Sequence, residues 1–156
     1  MNPYDSIIRG AEEHITNDGL KNSSAKIFPS GTLLIAMYGA TVGKTGILGI
    51  QATTNQAICA IFPTGNAFLP KFLMYCLILR RGDLLKERYG GAQPNISQTL
   101  IRSFFIPRPP LSEQLEIAQI LSAADRKIEA EEQCKAALQA LFKSMLHQLM
   151  TGQVRV

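Results

Sequence analysis

The sequence is poor in the residues that most often carry chemistry: it has no tryptophan, two histidines and three cysteines among 156 residues. His14 and His147 lie far apart, and neither has a nucleophile or a set of ligands nearby, so no metal, cofactor or catalytic centre is expected. Cys59, Cys76 and Cys134 stand at long, irregular spacings in apolar surroundings. This spacing favours buried, reduced thiols over a disulfide framework or a zinc site.

Long apolar runs are also lacking. A membrane-spanning helix needs roughly 18 or more apolar residues, whereas the longest run here, Phe72 to Leu79, has eight and ends at Arg80-Arg81. The first residues, Met1 to Asp5, lack the basic and apolar regions of a signal peptide. We therefore expect a cytoplasmic protein of one domain, or of one domain with an appendage.

Glycine and proline are unevenly distributed. They punctuate the first part of the chain, but residues 112–150 contain neither. The change falls in the segment Ile106 to Gln114, where Pro110 cannot continue a preceding regular element and Ser112 is a suitable N-cap for a long helix. The sequence thus predicts a globular domain over 1–110 and a long spacer or dimerisation helix over 111–156.

Apolar residues along this helix recur at alternating spacings of three and four, which is the pattern of a coiled-coil seam. Glu131 and Lys135 interrupt the pattern in its middle. The helix would be roughly 57 Å long; it could pack on its own domain or pair with a second long helix, and its length favours pairing. The predicted dimerisation residues are Ile117, Leu121, Ile128, Leu138, Phe142, Met145 and Leu149.

The first part of the chain predicts an α+β fold, a mixed globular domain of short strands with one or two helices. The predicted strands are Thr32 to Tyr38, Ile47 to Ile50, Ala57 to Phe62 and Phe104 to Ile106. A helix is predicted from Pro70 to about Arg88, because proline is favoured in a first helical turn and Gly90-Gly91 would end it.

The positive charge is concentrated in this part. Residues 20–108 carry ten Lys and Arg against two acids, a net charge of +8, whereas residues 112–156 carry five against six, a net charge of −1. Such a distribution is typical of a surface that contacts phosphates, although a solvated surface explains it equally well.

The segment Gly39 to Thr45 ends in Gly-Lys-Thr but has three residues between its glycines, where the phosphate-binding loop of nucleotide hydrolases has four. The residues after Lys44 predict a strand, whereas that loop is followed by a helix. Nucleotide hydrolysis at Lys44 is therefore disfavoured, and a glycine-rich turn that approaches another polymer's backbone is the alternative.

Other polar loops suggest contacts with DNA. Lys and Arg suit phosphates, while Asn and Gln can read adenine edges through two hydrogen bonds. Turn formation and capping would account for the same amides. The candidate DNA-binding residues are Lys44, Thr45, Lys86, Arg88, Gln93, Asn95, Gln51 and Asn55.

The order of these segments resembles the specificity subunit of type I restriction-modification enzymes. The resemblance runs from about Ile15 to Val156 and rests on Tyr38 to Lys44, Asn55 to Ile61, Gly91 to Ser97, Ile106 to Gln114 and the closing Leu149 to Val156. Pro-Pro-Leu-x-Glu-Gln at the start of a long helix is the most specific of these elements. The family's opening strand and first turn are not found ahead of Ile15, which suggests a truncated product or a self-associating C-terminal half.

The resemblance implies a target-recognition domain that reads half of a bipartite double-stranded DNA site, followed by a helix that pairs antiparallel with a second copy. It implies no catalysis by the chain itself, because separate modification and restriction subunits methylate and cut the DNA. The alternative is a helical assembly module that docks modification subunits and carries a vestigial recognition domain.

Overall fold

A computed structural model describes residues 7–62, 67–86 and 95–155 of the chain. The contacts divide it into two units, Met1–Leu115, here called the globular unit, and Glu116–Val156, here called the helical unit. The fold is α+β, as the sequence predicted.

Among its described residues, the globular unit contains six short strands, a short 3-10 helix at Gly39–Thr41 and four α-helices, followed by the first turn of a fifth α-helix. The strands are β1 Ile7–Ile8, β2 Ile27–Phe28, β3 Leu33–Ala36, β4 Thr45–Leu48, β5 Ala52–Thr53 and β6 Ile58–Ile61. The helices are α1 Asn17–Lys21, α2 Pro70–Leu79, α3 Arg81–Lys86, α4 Gln98–Ser103 and the long α5 Leu111–Met150, which continues through the helical unit.

Strand β3 lies inside a four-stranded sheet of order β1-β4-β3-β6, antiparallel to both β4 and β6, while β1 is parallel to β4. Strands β2 and β5 form a separate antiparallel pair. All four residues of β3 are buried, which explains why its sequence is continuously apolar rather than alternating. Leu33 packs against Leu73, Met74 and Leu77 of α2.

The predicted strand at Phe104 to Ile106 is wrong. These residues are all described, and they form no strand. The alternation that suggested one is present, since Phe104 and Ile106 pack against the core while Phe105 is 76% exposed. However, the guanidinium of Arg80 donates a hydrogen bond to the Phe105 carbonyl in place of a neighbouring strand.

The predicted single helix from Pro70 to Arg88 is divided at Arg80. Pro70 opens α2 as expected, and the N–H of Arg80 donates to Cys76 O at 3.0 Å to close it. Gly82, an unfavourable residue inside a helix, follows two positions later. The separate helix α3 buries Leu84, which is 1% exposed.

Helix α5 begins at Leu111, so Ser112 lies in its first turn and is not its N-cap. The carbonyl of Pro110 accepts the first intrahelical hydrogen bond, from Gln114 N at 3.0 Å. At the other end, Gly152 has a φ of +70° and its N–H donates to Leu149 O. A glycine in the left-handed region is a usual helix terminator, because it bears no penalty for that conformation.

Gln114 is a fully buried polar residue in the globular unit, with 0% exposure. Its side-chain oxygen accepts from Leu69 N at 2.9 Å, and its side-chain nitrogen donates to Ala67 O at 3.1 Å and to Pro109 O at 2.9 Å. The amide thus satisfies three main-chain groups and holds the segment that enters α2 against the start of α5.

Candidate nucleic-acid interface

The end of β3 joins three segments that the sequence separates. Met37, just after β3, donates its N–H to Ala57 O at 2.7 Å and accepts from Ile96 N at 3.0 Å. Ala36 N donates to Lys44 O at 2.9 Å on its other side. Residues 38–44, 55–57 and 95–96 therefore meet at one end of the sheet, which we call the loop edge. Its exposed side chains are Tyr38, Ala40, Thr41, Asn55, Gln56 and Asn95.

The turn 39–44 has a fixed main chain. Gly39 and Gly43 have φ values of +76° and +74°, a conformation that favours glycine. The guanidinium of Arg81 donates to Val42 O through two nitrogens, at 3.1 and 2.8 Å. A Cβ at Gly43 would lie 3.1 Å from the Arg81 side chain. The turn is thus tied to α3, and a strand follows Lys44 as the sequence predicted.

The structure separates the candidate cations. Lys44 belongs to the loop edge and is half-buried. Lys86 lies at the end of α3, where its ammonium is 3.6 Å from Asp83 Oδ1 and its side chain is 81% exposed. Exposed ion pairs of this kind contribute little free energy, so the pair leaves Lys86 able to contact a phosphate. Arg88 lies outside the described residues.

The candidate amides have different surroundings. Asn95 is exposed at the loop edge, whereas Asn55 accepts a hydrogen bond from Ala57 N at 3.1 Å and thereby forms a turn. Gln51 is exposed beyond the opposite end of β4 and does not join the loop edge. Gln93 lies outside the described residues.

Thr45 does not fit a DNA-facing role. Its hydroxyl oxygen is buried and has no hydrogen-bond partner among the described residues. Thr45 begins β4 and pairs with Ile35, so the strand directs its side chain into the unit. We therefore remove Thr45 from the candidate DNA contacts.

Sequence reasoning missed a second basic region beside β6. Lys26 and Arg102 line an open groove together with Phe62 and Phe105, which are 60% and 76% exposed. The groove also contains Cys59, whose thiol pKa is raised by burial and partly lowered by Arg102. The sequence contained a signal, namely aromatic residues close to cations. It could not show that these residues would be exposed and would meet in one groove, because only the fold brings them together.

The remaining two cysteines differ in their exposure. Burial also raises the pKa of the Cys76 thiol, against a smaller opposite effect of Arg80. Cys134 is exposed, contrary to the expectation of a buried thiol. Among residues 7–62, 67–86 and 95–155, no group of three or more potential ligands is placed to hold a metal ion. Within the same ranges, no helix is long and apolar enough to cross a bilayer.

The predicted dimerisation residues lie along one apolar seam of α5, and most of this seam is exposed. Ile117 is half-buried. The other six are 39–68% exposed: Leu121, Ile128, Leu138, Phe142, Met145 and Leu149.

Comparisons with known proteins place this chain in a family. The family profile described as "Type I restriction modification DNA specificity domain" matches residues 2–140, and the chain belongs to this family. The match includes the loop edge and most of α5.

Two specificity subunits illustrate the relationship. The chain is 28% identical to the type I restriction enzyme EcoR124I/EcoR124II specificity subunit of Escherichia coli, over 77% of this chain and 31% of that protein. It is 34% identical to the MjaIX specificity subunit of Methanocaldococcus jannaschii, over 81% of this chain and 29% of that protein. The chain thus spans about a third of the length of these relatives.

Solved structures agree on the fold. A chain from a study of type I restriction-modification complex assembly has a TM-score of 0.64 at 25% identity, over 77% of this chain and 29% of that one. The S subunit from M. genitalium has a TM-score of 0.66 at 18% identity, over 92% of this chain and 37% of that one.

Proposed function

We propose that this chain is a non-catalytic specificity component of a type I restriction-modification system. Its globular unit reads half of a bipartite DNA target, and its helical unit pairs antiparallel with a second copy. In the complete assembly the chain docks modification subunits and, through them, the restriction subunit. The family match over residues 2–140 is the observation that carries this proposal.

The loop edge and the charge of the globular unit support a role in DNA binding. Loops held on a rigid sheet commonly carry binding residues. Here Tyr38 follows the end of β3 and Lys44 precedes the start of β4. The Ile96 N–H to Met37 O hydrogen bond brings Asn95 to the same edge. All three lie in residues 20–108, whose net charge is +8. Cations supply most of the affinity for DNA, while amides contacting base edges supply discrimination. The two residue classes therefore require different tests.

The overall proposal is tested by gel-shift selection from randomised DNA, with the chain assembled with its modification subunit. We expect enrichment of defined base pairs and an affinity that falls with salt. Affinity that does not vary with DNA sequence would contradict the recognition role and leave only an assembly role.

Replacing Lys44 or Lys86 by alanine is expected to weaken binding uniformly across DNA sequences. Each lost phosphate contact should reduce the slope of log affinity against log salt by about one unit. Arg88→Ala should behave in the same way. The measurement is a salt titration of the assembled complex, with Lys143→Ala, an exposed cation on the helical unit, as the matched control. A changed base preference with an unaltered slope would assign that residue to base reading instead.

Asn95→Ala is expected to relax discrimination at one base pair by ~1–3 kcal/mol, because a good bidentate contact contributes that much, and to leave thermal stability unchanged. Asn55→Ala provides the contrast, since it removes the hydrogen bond to Ala57 N and should lower stability by about 1 kcal/mol. Gln93 and, as a weaker candidate, Gln51 are tested in the same assay. Unchanged discrimination in all four variants would place the base-reading surface elsewhere.

A further inference from the structure

The exposed seam of α5 is self-complementary about Gln133. Its residues fall into five pairs that lie at equal distances on either side of this position. The pairs are Ile117 with Leu149, Leu121 with Met145, Ala124 with Phe142, Ile128 with Leu138, and Glu131 with Lys135. If a second copy of the helix runs in the opposite direction about the same centre, these pairs become the layers of a two-stranded coiled coil.

We propose that two copies of this chain pair through α5 in this single register, antiparallel and centred on Gln133, with Glu131 of each copy facing Lys135 of the other. The proposal rests on the antiparallel pairing proposed above and deepens it by fixing the register. Each layer occurs twice in the dimer, so eight apolar layers flank two reciprocal ion pairs at the centre.

One of the apolar layers is also complementary in size. Ala124, the smallest residue of the seam, faces Phe142, the largest, so that a large and a small side chain fill this layer together. Leu138 and Phe142 are 60% and 68% exposed in the single chain. Their burial in the dimer would remove apolar area from water, which is the main driving force for association.

A parallel pair in register is disfavoured by the same residues. Each residue would then face its own copy, which places Glu131 against Glu131 and Lys135 against Lys135. Like charges in direct opposition cost free energy and exclude wrong pairings. The parallel arrangement would also set Phe142 against Phe142 and leave Ala124 against Ala124.

Other antiparallel registers are disfavoured as well. A shift of one heptad in either direction sets Glu131 and Lys135 against apolar residues: Phe142 and Leu138 in one case, Ile128 and Ala124 in the other. Both charges would then be desolvated without a partner, which is costly. A polar position in an otherwise apolar seam is a known way to specify register.

A charge-exchange experiment tests the direction and the register together. Glu131→Lys or Lys135→Glu alone should raise the dimer dissociation constant about ten- to a hundredfold, since each puts like charges at both central layers. The double variant restores opposite charges and should return to within about threefold of the wild type. Sedimentation equilibrium of the full chain, without DNA, measures the dimer dissociation constant of the wild type, both single variants and the double variant. Glu129→Lys is the control, because it makes the same change of charge at a position outside the seam.

In a parallel pair the like charges already oppose each other, so the single variants would change little and the double variant would show no rescue; that result overturns the proposal. A wild-type monomer at tens of micromolar overturns it too. Far-UV circular dichroism establishes that each variant remains helical.

Spin labels provide a second measurement that does not depend on charge. In a Cys134→Ser background, labels at Gln148→Cys should lie about 45 Å apart along the axis, since the paired positions are about 30 residues apart at ~1.5 Å each. A distance near 15 Å would show parallel helices and overturn the proposal. Neither experiment involves DNA or the modification subunit, so failure here leaves the proposed DNA reading to be judged by its own assay.

Discussion

Replacing Gln114 by leucine is expected to lower the free energy of unfolding of the globular unit by about 3–5 kcal/mol. The substitution keeps the volume similar but removes three hydrogen bonds, to Leu69 N, Ala67 O and Pro109 O. A main-chain group left buried without a partner costs about 1–3 kcal/mol, and the residue is fully buried. Few single substitutions in this chain should have a larger effect.

Urea unfolding of the full chain, followed by tyrosine signals and by hydrogen exchange of the Leu69 amide, measures this effect. The Leu69 amide should lose its protection selectively, because Gln114 is its acceptor. Gln119→Leu, an exposed position on the same helix, is the matched control and should leave both readouts unchanged. Retained protection at Leu69 in Gln114→Leu would show that another group satisfies this amide.

Replacing Leu138 by alanine is expected to weaken the proposed dimer on the order of a thousandfold. Removing a fully buried leucine side chain costs about 2–5 kcal/mol, and in the dimer the change occurs in two layers, each opposite Ile128 of the other copy. The lower end of this range, about 2 kcal/mol in each of the two layers, totals about 4 kcal/mol and corresponds to about a thousandfold change in the dissociation constant.

Sedimentation equilibrium over a wide concentration range measures this constant. Met150→Ala is the control, because Met150 is 79% exposed on α5 but lies off the seam. An equal loss of affinity in both variants would point to general loss of apolar surface rather than to a defined seam. Unchanged association of Leu138→Ala would remove Leu138 from the interface.

The parts of the fold with strong local patterns were predictable. The continuously apolar run before Tyr38 predicted the buried strand β3. The spacing of apolar residues at three and four positions after Pro110 predicted the uninterrupted helix α5. Strands β1, β2 and β5 have two residues each. Segments this short have no periodicity to detect, and only their pairing partners define them.

The candidate site and the other long-range contacts of the globular unit were less predictable. Met37 joins the segments of the loop edge through hydrogen bonds to Ala57 and Ile96, which lie 20 and 59 residues further along the chain. Gln114 lies in the first turn of a helix, where glutamine is usually exposed, and two of its partners are 45 and 47 residues away in the sequence. Likewise, Thr45 follows a glycine-rich turn that suggested an exposed hydroxyl, but its place in β4 buries that atom. The local conformational preferences of the sequence do not predict these long-range contacts.

The buried amide of Gln114 also bears on how ionic strength affects this protein. Its three hydrogen bonds involve no ionised group, so salt does not screen them. The contacts between the entry to α2 and the start of α5 should therefore persist over the salt range of a DNA titration. In such a titration, salt would act on the phosphate contacts and on the central Glu131 and Lys135 pairs of the proposed dimer. Keeping the protein well above its dimer dissociation constant would suppress the second effect, so that the measured slope reports phosphates alone.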